Sequence, residues 1–231
     1  MTRKSIVASA RWAGIEGLLE RGLPPAGAAE VLRDDSRGYV CVFRHRGVRL
    51  VAKQPRDKDR RTWIRFLSPF RPSHAVRMFR FMERLFETGL PVPEPVAAME
   101  RRRFGVVVES WLIYRYVEGH PLSEETASLG VEALRTIHAL GFVHGDAHAG
   151  NFLVCEGRAV VLDPAPALRL LPAFGMAYDL IRLRNSCPSA GRFLEAESRR
   201  PAFRLAEAYD KVLHAWRRLK RTLRAVIGAG R

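Results

Sequence analysis

The residues best suited to chemistry lie close together past the middle of the chain. Val143-His144-Gly145-Asp146-Ala147-His148-Ala149-Gly150-Asn151 is a polar stretch between a helix-like and a strand-like segment, and loops held by rigid elements are where catalytic groups concentrate. Two apolar runs follow, Phe152-Leu153-Val154-Cys155 and Ala159-Val160-Val161-Leu162, separated by Glu156-Gly157-Arg158, a pattern that predicts a hairpin. Each arm has four residues, so the chain runs about 13 Å out and the same distance back. Asn151, before the first arm, and Asp163, after the second, are therefore expected side by side, with Asp146 one loop away. A carboxylate beside an amide oxygen offers the hard oxygen ligands that Mg²⁺ prefers.

Other elements must hold such a loop in place. Residues 29–54 read as strands: Tyr39, Cys41 and Phe43 alternate with Val40 and Val42, His45-Arg46-Gly47 turns the chain, and Val48-Arg49-Leu50-Val51-Ala52-Lys53 returns. A helix is predicted from Ser73, as N-cap, to about Thr88, where Gly89 and Pro91 end it. Val106 to Tyr116 is another strand region, with Arg101-Arg102-Arg103 as a hairpin tip, and Glu118-Gly119-His120-Pro121 a connector. Beyond it, Leu129, Leu134, Ile137 and Leu140 have helical spacing, and the chain after the central hairpin reads as helix. Strands first and helices later define an α+β chain of two lobes, 1–117 and 118–231.

The chain has 231 residues, 39 basic against 24 acidic for a net charge of +15, with 47% hydrophobic and 27% charged content. These values exclude a disordered or collagen-like chain, and no apolar run is long enough to span a membrane. Arg11 and Glu16 interrupt the apolar N-terminal run, so a signal peptide is not expected. Three widely spaced cysteines, Cys41, Cys155 and Cys187, fit a reducing cytoplasm with neither disulfide frame nor zinc site. Only five of the basic residues are lysine, which makes Lys53, inside an apolar strand, conspicuous.

His-Gly-Asp-x-His-x-x-Asn with an aspartate twelve residues on resembles the catalytic and metal loops of the protein-kinase-like superfamily, above all its small-molecule phosphotransferases. Val51-Ala52-Lys53 is similar to its lysine strand, and Tyr114-Arg115-Tyr116-Val117-Glu118-Gly119 to its hinge; the likeness covers about residues 29–185. Ser73-His74-Ala75, Gly89-Leu90-Pro91-Val92-Pro93-Glu94-Pro95 and the His-Gly-Asp motif further resemble the bacterial heptose and Kdo kinases of the lipopolysaccharide core. The resemblance implies a two-lobed kinase fold, with a β-rich nucleotide-binding lobe and a mostly helical catalytic one. It implies ATP as phosphoryl donor and Mg²⁺ as metal. Lys53 would hold the α/β-phosphates, the Arg115 carbonyl and Val117 N–H would meet adenine, Asn151 and Asp163 would ligate the metal, and Asp146 would be the base. Asp179 resembles the aspartate that braces the catalytic loop, a plain helix-start carboxylate being the other reading. With Asp146 as base, His144 and His148 read as loop-bracing groups.

The chain also departs from the pattern. In place of a glycine-rich phosphate loop stands Asp34-Asp35-Ser36-Arg37-Gly38, where the amides of Ser36 to Gly38 are the candidates to cover phosphate. Met78 occupies the place of the helix glutamate that should pair with Lys53, and Glu83 is the nearest substitute, about 140° around the helix. Asp163 and Asp179 are sixteen residues apart, with no long peptide-docking segment between them, so a small or glycan acceptor is expected and a protein substrate is not.

Six arginines between Arg60 and Arg80 surround Trp63, Phe66, Phe70 and Phe79. This is a face for an acidic glycolipid and the anionic inner membrane, or a plain solvated basic surface; nucleic acid is not expected. The expected acceptor is a sugar hydroxyl of the lipopolysaccharide inner core, at the cytoplasmic face of the inner membrane. The competing readings are a soluble kinase of the aminoglycoside or choline type and a non-catalytic kinase-shaped scaffold for anionic lipid.

Overall fold

The computed structural model describes residues 2–24, 30–56, 69, 71–164 and 171–228, and the side chains of 221 and 223–228 within the last helix are not described. The chain divides into two compact units, Met1–Gly119 with Val160–Pro166, and His120–Ala159 with Ala167–Arg231.

The first unit is built on an antiparallel sheet of six strands. In chain order they are β1 (Thr2–Ala8), β2 (Glu30–Asp34), β3 (Tyr39–His45), β4 (Val48–Gln54), β5 (Pro95–Arg103) and β6 (Val106–Arg115). Their order across the sheet is β1-β5-β6-β4-β3-β2. Alternation along the strands separates two apolar layers. On one face Leu50, Ala97, Met99, Trp111 and Ile113 pack with Ile15 and Leu19, the latter from α1 (Glu16–Arg21). On the other, Ala98 and Leu112 receive Val76, Met78, Phe79 and Met82 of α2 (His74–Glu87). The predicted Ser73 cap is present, its side chain accepting from the Val76 N–H at 3.3 Å.

Strand β1 was not expected from the sequence. It pairs residue for residue with β5, from Thr2 opposite Arg103 to Ala8 opposite Ala97. Lys4 reaches from it to the Leu19 and Glu20 carbonyls at the end of α1, where a cation suits the helix terminus. The triple arginine is not a tip. Arg101, Arg102 and Arg103 lie within β5, and the turn is Phe104-Gly105, at φ 51° and 79°. Arg46-Gly47 repeats this geometry at 49° and 80°. Two consecutive left-handed residues make the tight turn whose twist matches that of strands, and glycine in second place takes it without strain.

The second unit holds β7 (His120–Pro121), α3 (Ala127–Ala139), β8 (Phe152–Cys155), α4 (Pro172–Ser186), α5 (Glu195–Ser198) and α6 (Pro201–Gly228). Strand β9 (Arg158–Val161) completes a small sheet in the order β7-β8-β9, and the division between the units falls inside it. The return arm thus starts and ends one residue earlier than the sequence predicts. Glu156-Gly157, at φ 49° and 72°, closes the turn in two residues and leaves Arg158 to the strand. In α3, Leu134 and Ile137 are buried as their spacing requires, whereas Leu129 is half-buried and Leu140, at the C-cap, is exposed; Val131 completes the buried face.

Candidate active site

In the first unit, Lys53 and Asp163, 110 residues apart, form an ion pair between Nζ and Oδ2. Lys53 is fixed by its strand, opposite Val40 of β3 and Leu112 of β6. Asp163 is fixed from behind by the Val161 N–H, which donates to the Pro91 carbonyl at 2.7 Å. Its own backbone is left-handed, at φ 48°, a conformation aspartate tolerates better than most residues. Both side chains keep roughly a quarter to a third of their surface open, 26% and 30%. Nearby, burial and the Asp163 charge push the Tyr114 phenol far above its ordinary range. Among the described residues Asp163 is the only ion-pair partner of Lys53. Met78 is buried against the sheet and Glu83, half-buried, makes no ion pair with the lysine.

The loop before β3 has a different architecture from a phosphate-binding turn. The Asp35 carboxylate accepts the N–H groups of Arg37 at 2.8 Å and Gly38 at 2.9 Å, and Ser36 is exposed beside it. A hydrogen bond from Arg33, with those amides, holds the Asp35 carboxyl down to about 2 despite partial desolvation. Gly38 is required by packing, since a Cβ there would stand 2.8 Å from the Gln54 carbonyl oxygen. At the end of β6, the Arg115 N–H donates to the Glu94 carbonyl at 2.9 Å and the Tyr116 N–H to the Arg49 carbonyl at 3.0 Å. Val117 follows, half-buried and outside any strand. Arg49, which the sequence did not single out, steadies this segment: its guanidinium lies 3.9 Å over the Tyr116 ring and bonds Glu118 at 2.7 Å.

In the second unit, the loop carrying Asp146 is held by Asp179 of α4. This carboxylate is 1% exposed and accepts from the His144 N–H at 2.7 Å and the Gly145 N–H at 2.9 Å, with His138 Nε2 at 3.2 Å. The bracing reading of Asp179 is the one the geometry bears out. Gly145, at φ 82°, turns the loop over that carboxylate, a conformation open to glycine at little cost. His144 is fully buried, packs on Phe152 and accepts the Asp146 N–H at Nδ1, 3.3 Å away, so it is a brace. Asn151 donates from Nδ2 to the Asp146 carbonyl at 2.9 Å, while the Ala149 N–H reaches Ser186 Oγ at 2.8 Å. The Asp146 carboxylate, about half exposed, bonds Arg182 Nη2 through Oδ1. Arg182, Ser186 and His138 were missed by sequence reasoning. Each meets its partner 36 to 41 residues away in sequence, which no local pattern signals.

Taken singly, each expected metal ligand keeps a hard oxygen: Asn151 commits its amide nitrogen to the Asp146 carbonyl and keeps Oδ1, and Asp163 supplies a carboxylate. Both are hard oxygen donors of the kind that share a small cation with phosphate oxygens and water. Among the described residues no cluster of three or more His, Cys, Asp or Glu forms an all-protein metal cage.

No protein-family model matches the chain. It is 28% identical over 170 residues to a 3-deoxy-D-manno-octulosonic acid kinase of Haemophilus influenzae strain 86-028NP, an alignment covering 66% of this chain and 68% of that protein. The enzyme of the same description from strain PittEE is 28% identical over 134 residues, and there the chain spans about half, 53%, of the relative's length. Among solved structures, WaaP in complex with acyl carrier protein superposes with a TM-score of 0.53 over 95% of this chain and 99% of that one, at 18% identity; this likeness is one of fold. The fold class is thus the one the motifs implied, a two-lobed α+β protein-kinase-like fold. In sequence the chain is similar to 3-deoxy-D-manno-octulosonic acid kinases, and in fold to WaaP.

Proposed function

We propose that this chain uses ATP and Mg²⁺ to phosphorylate a sugar hydroxyl, of heptose or Kdo, in the lipopolysaccharide inner core. The observation that carries the reading is the Lys53–Asp163 pair, a cation and a carboxylate from distant segments held together in a partly open position. Residues 1–117 would bind the nucleotide and 118–231 would supply the catalytic loop.

Phosphoryl transfer asks the protein mainly to position groups and balance charge. Lys53 would bind the α/β-phosphates, and the backbone at Arg115 and Val117 would receive adenine. Magnesium, held by Asn151 and Asp163, would neutralise charge on the β/γ oxygens. Asp146 would orient the sugar hydroxyl and take its proton at a carboxylate oxygen as transfer proceeds. Of the loop amides from Ser36 to Gly38, those of Arg37 and Gly38 are already given to Asp35, which a phosphate would have to displace, so Lys53 would carry more of the phosphate charge than it would beneath a glycine-rich turn. Such an acceptor is a glycolipid of the inner membrane, met on the cytoplasmic side where ATP is available. The Arg60–Arg80 cluster read as its docking face lies mostly outside the described residues. Among the described residues no helix is long and apolar enough to cross a membrane.

The test is transfer of labelled phosphate from ATP to Kdo-lipid A and to its heptosylated form. Transfer to one of the two, reduced about 10²- to 10⁴-fold in Asp146→Asn with an unchanged circular-dichroism spectrum, is the expected result. Equal labelling by the variant, or transfer to aminoglycosides or choline alone, overturns it.

A further inference from the structure

The last helix presents a face that none of the described residues covers. Phe203, Ala206 and Asp210 are its buried side and pack toward α4. From Lys211 to Lys220 every residue except Leu213 is exposed. Yet the exposed surface is not polar throughout: Leu205, Tyr209, Val212, Trp216 and Leu219 are 48–68% exposed. Their steps of four, three, four and three residues set them in one stripe. At 100° per residue the stripe is about 80° wide and centred roughly 130° from the buried side. It is about 21 Å long.

The charges beside this stripe have one sign. Lys220 stands about 20° beyond one edge, and on the other side the first charges met are Arg204, Lys211 and Arg218, about 60–100° beyond the edge. The two acidic residues of this stretch lie toward the buried side and are engaged: Glu207 with Arg184 at 2.8 Å, Asp210 with Asn185 at 2.8 Å.

We propose that α6 lies flat on an anionic lipid bilayer, with the Leu205–Leu219 stripe at the acyl boundary and the basic flanks among the headgroups. An apolar stripe with basic flanks and both Trp and Tyr is the composition of a helix that rests in an interface without spanning it. The same spacing would suit a seam with a second copy of the helix, but such a pair brings like-charged flanks together, whereas anionic lipid neutralises them. A glycolipid acceptor gives a kinase reason to sit on a bilayer, but the inference stands on α6 alone, and its failure leaves the transfer assay untouched.

The experiment is co-sedimentation of the full chain with phosphatidylcholine vesicles, with and without phosphatidylglycerol. The wild type binds the anionic vesicles, less so as salt is raised, and Val212→Glu with Trp216→Glu weakens binding about tenfold or more while the melting temperature stays put. Brominated phosphatidylglycerol gives a second readout needing no disruptive change: it quenches tryptophan emission in the wild type, and less so in Trp216→Phe. Equal vesicle binding by the double variant, or no binding by the wild type, overturns the proposal. So does a wild-type dimer in sedimentation velocity that the double variant dissolves without any vesicle binding, which would assign the stripe to a second copy.

Discussion

Asp179 directs both carboxylate oxygens at backbone N–H groups, so the loop bearing Asp146 is held by its peptide bonds and not through the Asp146 side chain. Asp179→Asn turns an amide NH₂ toward one of those donors and leaves it buried without an acceptor. The expected cost is about 3 kcal/mol, read by urea unfolding, with faster hydrogen exchange at His144 and Gly145 than elsewhere in the unit. Arg182 acts through Asp146, whose Oδ1 it holds. Arg182→Ala should therefore lower kcat about 10- to 100-fold with the KM for ATP unchanged, and Arg182→Lys should restore part of the loss; equal effects on kcat and KM would contradict this role. The two residues differ in how readable they are. Asp179 stands within Tyr178-Asp179-Leu180, a local pattern with a known counterpart, while Arg182 meets a residue 36 positions earlier that no local periodicity links to it.

At the level of elements, α2 is tied to the sheet through a buried carboxylate. Glu100 of β5 accepts the Ser73 N–H at 2.8 Å and Arg102 Nε at 2.7 Å. Burial pushes its carboxyl up, but the bonds from Arg102 and Ser73 outweigh burial and hold it below the ordinary value. Its contribution is accordingly complete above the unfolded-state value of about 4.3 and is lost as pH falls through the lower folded-state one. Glu100→Gln should destabilise the fold at neutral pH and flatten the fall of stability below about pH 4.3, measured as the urea midpoint against pH. The helix start and both central hairpins were visible in the sequence because a serine cap and X-Gly turns act locally. Strand β1 was not: Thr2, Arg3 and Lys4 give it a polar beginning, and its place at the sheet edge is set by pairing with β5 about a hundred residues away. The triple arginine misled for the opposite reason, since a charge run marks solvent exposure but not which residue turns.

For the molecule as a whole, the order of strands and helices was enough to reach an α+β chain of two parts, because it follows from periodicity alone. The phosphate-loop residues were harder. A glycine at 38 is required by the Gln54 carbonyl whether or not it also meets a ligand, so its presence in the sequence does not separate the two roles. On the proposed role of Lys53 and Asp163 in nucleotide binding, Mg²⁺-ATP at a hundred times its Kd should stabilise the folded chain by about 2.7 kcal/mol. Differential scanning fluorimetry should show the rise in Tm for the wild type and lose it in Lys53→Ala; an equal rise in both would remove the lysine from the nucleotide site.

The compact units do not follow the chain order, because Val160–Pro166 belongs with the first 119 residues. A single cut therefore cannot yield two intact halves. A fragment ending at Gly119 keeps Lys53 but loses its counter-ion Asp163, and the complementary fragment carries that aspartate away from the Pro91 carbonyl that anchors its strand. Chimeras between relatives will have to exchange the short return segment together with the first 119 residues, since a crossover at Gly119 alone takes the lysine and its counter-ion from different parents.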